Sequence, residues 1–505
     1  MSQIFALNRR QPLALCRRLK SIKPTSFHRI PRRLGLTTAV CATLLTFGPA
    51  LAGETTLEEP LSPKDAALAD WWNGKYMTGN WFGVRDTLAD NGLKFKGKWR
   101  GAFYGVVDSQ GGSRGFFDQE VAFAGELNLG KLLKVDELEG VKGFAEVRWR
   151  DPRGNSNPNE AVEASSMFSP SHYQSGTQWR LLTFGVEIGS GELLPVKDMV
   201  VLRGGWLRPQ KEFLDQPLSK LFVNNAVESS KGIGGNIPFS SSFSTWGGTL
   251  QVKPVDWYYA KAGLFMAFPK ATSTSNHGLA FQGFEQDPTQ NGLMVMAETG
   301  ITPKFGSAEL PGKYAFGGYY FGVDKASFNG TPNSGQYGFY WQADQMLFRE
   351  PSPEAPVVMG KGPSDGQSVA GDKSFKAPVG MEKPKLSDQG LSMFSLFTFA
   401  PENNNLYPFY FQTGLVYKGL IPHRDDDQTM IVLGYGSYSF SNIENLQEDG
   451  NVNQPNYTMV LESGYRFQIN GWAFVQPFIQ YIIKPNGTGD VQNATVLGIL
   501  AGVDF

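Results

Sequence analysis

The sequence predicts an all-β protein, a transmembrane antiparallel β-barrel preceded by one short helix. Three observations carry that expectation. From Lys94 to Phe505 side-chain polarity alternates with period two, in segments of about ten residues, the length a tilted strand needs to cross hydrocarbon. Aromatic side chains gather at the segment ends, as they do at membrane interfaces. No stretch after residue 52 holds the ~18 consecutive apolar residues that a spanning helix requires. Composition agrees. The 59 glycines among 505 residues are about 12% against a usual ~7%, aromatics make up 13%, and charged residues only 18%. A mean hydropathy of −0.27 is too hydrophilic for a helical bundle in lipid, and the aromatic content is too high for a disordered chain.

The chain opens with a segment that sets its compartment. Residues 1–52 carry nine Lys or Arg and no acidic residue, then an apolar run from Leu34 to Phe47, then Ala50-Leu51-Ala52. This is the pattern of a secretory signal peptide, with Arg32-Arg33 a weak match to a twin-arginine signal. Cleavage after Ala52 leaves 453 residues with 37 basic against 47 acidic side chains, a net charge of −10. Cys16 and Cys41 both leave with the leader, so disulfides and thiolate metal sites are excluded from the mature chain. The acidic balance argues against nucleic acid as a partner.

Residues 53–93 form an N-terminal periplasmic segment. Within it Trp81–Leu93 reads as a short amphipathic helix closed by Asn91-Gly92, with Trp81, Val84 and Leu88 on one face, expected to pack on the barrel wall. The barrel domain is expected over 94–505. In 120–129 the residues Glu120, Ala122, Ala124 and Glu126 alternate with Val121, Phe123, Gly125 and Leu127. In 144–150 Glu146, Arg148 and Arg150 alternate with Ala145, Val147 and Trp149, and in 461–469 Glu462 and Arg466 alternate with Leu461, Tyr465 and Phe467. A soluble sandwich produces the same alternation by burying its apolar face. Segment length favours the barrel, as do the aromatics at segment ends (Trp99, Trp149, Trp179, Trp206, Trp257, Tyr258, Tyr259, Tyr319, Tyr320, Trp341, Tyr407, Tyr481). A last run, Thr495 to Phe505, places Leu497, Ile499, Ala501, Val503 and Phe505 on one face. Three long polar connections, 151–178, 224–244 and 350–389, are expected on the outer side, where they can fold into the lumen.

Catalytic signatures are weak. His172, His277 and His423 lie in loops without metal-ligand spacing, and His423-Arg424-Asp425-Asp426-Asp427 lacks the alternating oxygens of a calcium loop. There is no nucleophile elbow and no phosphate-binding loop, so no enzyme activity and no cofactor are expected. The inward charges say more. Glu120, Glu126, Glu146, Arg148, Arg150, Glu462 and Arg466 share the polar face, and Arg100, Arg180, Arg203 and Arg208 fall near strand ends. Arg and Glu across a narrow lumen set up a transverse field and offer a polyhydroxylated solute many directed donors and acceptors. Trp179 and Trp206 are candidates to stack on its apolar face.

A resemblance extends the reading. Residues 78–92 (TGNWFGVRDTLADNG) are similar to the opening motif of OprB-type carbohydrate-selective porins. Residues 343–350 (ADQMLFRE) and 414–420 (GLVYKGL), with Arg424 and Asp426-Asp427, follow in that family's order. The ending resembles it most: 461–467 (LESGYRF), 475–482 (VQPFIQYI), Pro485-Asn486-Gly487 and the last strand. The resemblance implies a barrel of 16 strands, with 18 as the alternative, in the outer membrane. It also implies facilitated diffusion of monosaccharides, glucose foremost, through a polar constriction. Outer-membrane lipid and small sugars are then the partners, with a homotrimer the assembly to test. Two departures stand out: Phe82 replaces a usual Gly, and 350–389 is longer than the common loop. The rival readings are a secreted soluble carbohydrate-binding or carbohydrate-active β-protein, and a porin for another small solute.

Overall fold

The fold was analysed on a computed structural model, which describes residues 63–150, 162, 166–173, 178–229, 231–268, 291–351, 386–448 and 454–505. The leader, His277 and most of 350–389 lie outside the described residues.

Sixteen long strands are present among the described residues. They are β1 (Leu93–Asp108), β2 (Arg114–Asn128), β3 (Val141–Arg150), β4 (Gln178–Gly189), β5 (Val200–Leu207), β6 (Thr245–Val255), β7 (Tyr258–Ala267) and β8 (Gly292–Ile301). Then follow β9 (Leu310–Phe321), β10 (Gln336–Arg349), β11 (Gly390–Phe399), β12 (Phe409–Lys418), β13 (Gln428–Ser437), β14 (Tyr457–Asn470), β15 (Ala473–Ile483) and β16 (Ala494–Asp504). A two-residue pairing, Lys304–Phe305 against the start of β9, only extends a turn. Each strand pairs antiparallel with the next, and β1 pairs with both β2 and β16: Trp99 faces Val121 on one side and Val503 on the other. The sheet therefore closes and leaves no edge.

The seam is sealed by Phe505. Its amide and carbonyl bond Gly97 at 2.9 and 2.6 Å, and its ring lies where a Cβ on residue 97 would stand, with Phe123 5.6 Å away. Pro477 cannot donate to a ladder, and the β14–β15 register lapses beside it: Gly464 pairs with Phe478 and Phe467 with Val475, with Arg466 and Gln476 between.

On the outer face Phe103, Leu202, Leu264, Phe316, Ile431, Leu461, Leu497 and Ile499 stand exposed in an apolar band. Aromatic contacts cross the strands along it: Trp149 with Trp179, Trp341 with Phe397, Phe397 with Phe411, and Phe409 with Tyr435. Tyr259, Tyr319, Tyr407 and Trp206 do not belong to this girdle. All four are buried, Tyr259 bonding Glu298 and Trp206 packing on Trp246 at 5.6 Å.

Strand direction sorts the connections. N-terminal elements, the start of β1 and the end of β16 share one end, which the rule of longer outer loops makes periplasmic. The connections 151–177 and 208–244 leave the opposite end. β10 runs down into the connection 350–389 and β11 runs up out of it, so its two ends stand at the periplasmic end and not on the outer side expected for it.

Both outer connections turn inward. Met167 to Tyr173 are buried; in the second connection Lys211, Asp215 and Lys220 stay exposed, while Phe213, Phe222, Val223, Ala226, Ile233, Phe239 and Phe243 are buried. They rest on a wall that is apolar on its inner face too, with Met294, Met296, Tyr340, Phe394, Leu396, Tyr410, Met430 and Val432 all buried. Phe222 meets Phe394 at 5.7 Å and Phe168 meets Tyr410 at 6.2 Å. Gly232 has no room for a side chain, since a Cβ would collide with Thr398 and Tyr410. The apolar core thus lies inside the barrel on the β8–β13 side, and a dense group of charges gathers on the β1–β3 side.

The N-terminal segment contains helix α1 (Pro63–Trp72) and helix α2 (Val84–Asp90). Met77 donates to the Asp504 carbonyl at 2.8 Å, and Trp71 packs 5.1 Å from Trp472. The face expected to dock does not. Trp81 and Val84 are exposed and Leu88 is half-buried. Arg85 docks instead, its guanidinium 3.4 Å from the Tyr76 ring centre and donating to the Phe95 carbonyl at 2.9 Å. The barrel rim presents backbone carbonyls, which an arginine satisfies and an apolar side chain cannot.

Two outcomes follow from this architecture. Ile499→Arg puts a charge into hydrocarbon and should cost ~2–4 kcal/mol in urea unfolding from vesicles; an unchanged midpoint would mean this face is not in lipid. Arg85→Ala should open residues 63–92 to protease while the barrel keeps its SDS-resistant mobility. Unchanged cleavage would show that the Trp71 and Met77 contacts suffice.

Candidate functional site

The charged side of the lumen encloses a cavity of about 280 Å³. β1, β2 and β3 supply Lys98, Arg100, Glu120, Glu146, Arg148 and Arg150, because two-residue spacing keeps these side chains on the inner face. The first infolded connection adds His172 and Tyr173; the second adds Arg208, Lys220, Glu228 and Ser241. Continuing the same wall past β16 stand Phe474 of β15 and Arg466 of β14.

Glu120, 3% exposed, is the centre of the arrangement: Arg150 Nε lies at 2.7 Å, Lys98 Nζ at 3.0 Å and Arg148 Nε at 3.7 Å. Removing a buried carboxylate among three cations costs several kcal/mol, since the cations then repel without relief. Glu146 holds Arg208 at 2.7 Å and Lys211 at 3.2 Å. Arg100 pairs with Asp504 at 2.7 Å. Three arginines clamp the second connection: Arg148 donates to Ser242 Oγ at 2.6 Å, Arg180 to the Ser242 carbonyl at 2.8 Å, and Arg208 to the Ser241 carbonyl at 3.3 Å. Arg150 donates to the His172 carbonyl at 2.7 Å. Burial pushes the His172 imidazole below its usual pKa range, outweighing the pull of Glu228, so the ring is uncharged at neutral pH. Arg466 donates Nε–H to Gln476 Oε1 at 2.8 Å and lies over Phe474 at 4.0 Å, while Arg100 lies 5.1 Å from the same ring.

Of the eleven charged residues singled out from sequence, Arg100, Glu120, Glu146, Arg148, Arg150, Arg208 and Arg466 line this cavity. Glu462 faces inward but is covered. It accepts the Val223 and Asn224 amides at 2.7 and 2.8 Å and anchors the second connection. Arg180 is buried against Ser242, and Arg203 lies in a second cavity of about 360 Å³, bridging Glu187 and Glu212. Glu126 is exposed toward the periplasmic end, opposite Lys94. Trp179 is exposed beside Trp149, whose face looks to lipid, and Trp206 is fully buried, so neither is placed to stack on a solute in the cavity. Lys98 was legible in the alternation Lys94, Lys96, Lys98, Arg100 along β1. His172, Lys220 and Glu228 come from loops and carried no periodic signal.

The family model for "Carbohydrate-selective porin, OprB family" matches residues 118–505. Porin B of Pseudomonas aeruginosa is 25% identical over 472 residues, covering 87% of this chain and 93% of that protein. Among solved structures, OprB of Pseudomonas putida at high pH aligns with a TM-score of 0.69 and 22% identity, over 86% of this chain and 99% of that one. Its low-pH structure aligns at 0.51 and 19% identity, again over 86% of this chain and 99% of that one. The match over 118–505, on a closed 16-stranded barrel with a charged lumen, establishes that the chain belongs to the OprB family of carbohydrate-selective porins of the outer membrane.

Proposed function

We propose that this porin admits monosaccharides, glucose first among those to test, by facilitated diffusion through the cavity between β1–β3 and the infolded connections. The observation that carries the reading is the convergence of arginines and glutamates on one lumenal cavity of about 280 Å³, near the lower end of ligand-pocket volumes. Guanidinium groups donate to sugar hydroxyls, and Glu120 and Glu146 accept from them. Each contact exchanges with water, so affinity should be about millimolar, roughly −4 kcal/mol, strong enough for entry and weak enough for exit. Flow follows the gradient and needs no cofactor. The whole path lies inside one barrel, so an expected homotrimer would add parallel paths without completing any of them.

Single-channel conductance of the refolded protein tests this, with saturable block by added glucose as the expected result. Arg466→Ala removes a donor that anchors neither connection and should weaken block about fivefold, the worth of ~1 kcal/mol. Arg148→Ala also unclamps Ser242, so its conductance should rise as block falls. Should glucose leave the wild-type current untouched, the cavity is not the sugar filter.

A further inference from the structure

We propose that this constriction favours monosaccharides carrying a carboxylate, aldonates or uronates, over neutral sugars. The inference rests on the porin reading above and adds the charge class of its solute.

The cavity is not electrically balanced. Its lining holds seven cationic side chains from Lys98 to Arg466 and three carboxylates, Glu120, Glu146 and Glu228. Asp504 and Asp215, outside the lining, engage Arg100 and Lys220. Glu120 is shared among three cations and Glu146 between Arg208 and Lys211. Positive charge is therefore in surplus in the cavity, where low-dielectric walls focus its field. The neutral His172 neither adds to this nor relieves it.

Arg466 concentrates the surplus. Only its Nε–H is taken among the described residues, by Gln476, and its plane is fixed over Phe474. Among the described residues no carboxylate lies within ion-pair distance of it. The lapse in the β14–β15 ladder beside Pro477 is where this side chain arises. A guanidinium held flat, with its terminal N–H groups uncommitted in a cavity, is the geometry that takes a carboxylate by two parallel hydrogen bonds. The hydroxyls of the same solute are left for the remaining donors and for Glu120 and Glu146.

β1 continues the field toward the periplasm. Lys94, Lys96, Lys98 and Arg100 occupy four successive inner-face positions, about 7 Å apart along the strand, and Lys94 and Lys96 are exposed. Across the registers Lys94 faces Glu126, Arg100 faces Glu120 and Lys98 faces Asp504, while Lys96 faces Ala124. An anion leaving Arg466 and Arg100 thus meets another cation at each step, which lowers the barrier to leaving the constriction.

The test compares block of single-channel current by sodium gluconate and by glucose. In 0.1 M salt gluconate should block at about one-tenth the concentration glucose needs, and the ratio should fall toward one at 1 M salt as charge is screened. The reversal potential in a potassium chloride gradient should show chloride preferred. Arg466→Gln should bring the gluconate-to-glucose ratio near one, and Arg466→Lys should keep most of it. Equal block by the two solutes in the wild type, or an unchanged ratio in Arg466→Gln, overturns the carboxylate preference and leaves the sugar-porin reading standing. Absence of block by either solute overturns both.

Discussion

The carboxylate of Glu462 holds the interior together. It lies 1% exposed on the inner wall and takes the backbone amides of Val223 and Asn224, with Gln480 as a third donor at 3.2 Å. These amides belong to a stretch of chain crossing the lumen, where no sheet ladder is available to satisfy them. Gln480 also reaches the Pro170 carbonyl, and the Val223 carbonyl accepts the His172 amide. One acidic side chain on β14 therefore fixes both infolded connections relative to the wall and to each other. Without it the second connection would lose its hold at mid-lumen and the charged cavity would lose one side.

The arginines divide between two tasks. Arg148, Arg180 and Arg208 satisfy carbonyls and a hydroxyl at Ser241 and Ser242, which supplies donors that irregular backbone inside a barrel cannot draw from the sheet. Arg100 and Arg466 instead flank Phe474 and face open space. The same residue type thus builds the filter and lines it, and charge count alone does not separate the two roles.

That division marks how far the sequence could be read. Alternation located the strands of the charged side and assigned Glu120, Glu146, Arg148, Arg150 and Arg466 to the lumen, because a one-residue slip would place charges in hydrocarbon. Across β8–β13 the inner face mixes apolar side chains such as Met294, Phe394 and Tyr410 with Glu298, Gln342 and Gln412, since infolded connections cover it, so alternation there says less about which side meets lipid. The docking of Arg85 in place of Trp81 and Val84 was hidden because helical periodicity ranks apolar faces and takes no account of carbonyls at a barrel rim. The end at which 350–389 emerges follows only from counting every strand before it. Tertiary pairing across long separations, such as His172 with Val223, leaves no local trace.

The closing seam bears on how the molecule is assembled. Arg100 and Asp504, which meet there, are 404 positions apart in the chain. Pairing at that separation carries the largest loop-closure entropy and forms slowly. Until it forms, β1 and β16 are open edges able to capture strands of other chains. Both infolded connections arise in the first half of the sequence, ahead of every strand from β6 onward. The wall they rest on, β8–β13, lies between them and β16 along the chain. The barrel can therefore wrap around its own contents, and the filter need not be threaded into a finished cylinder.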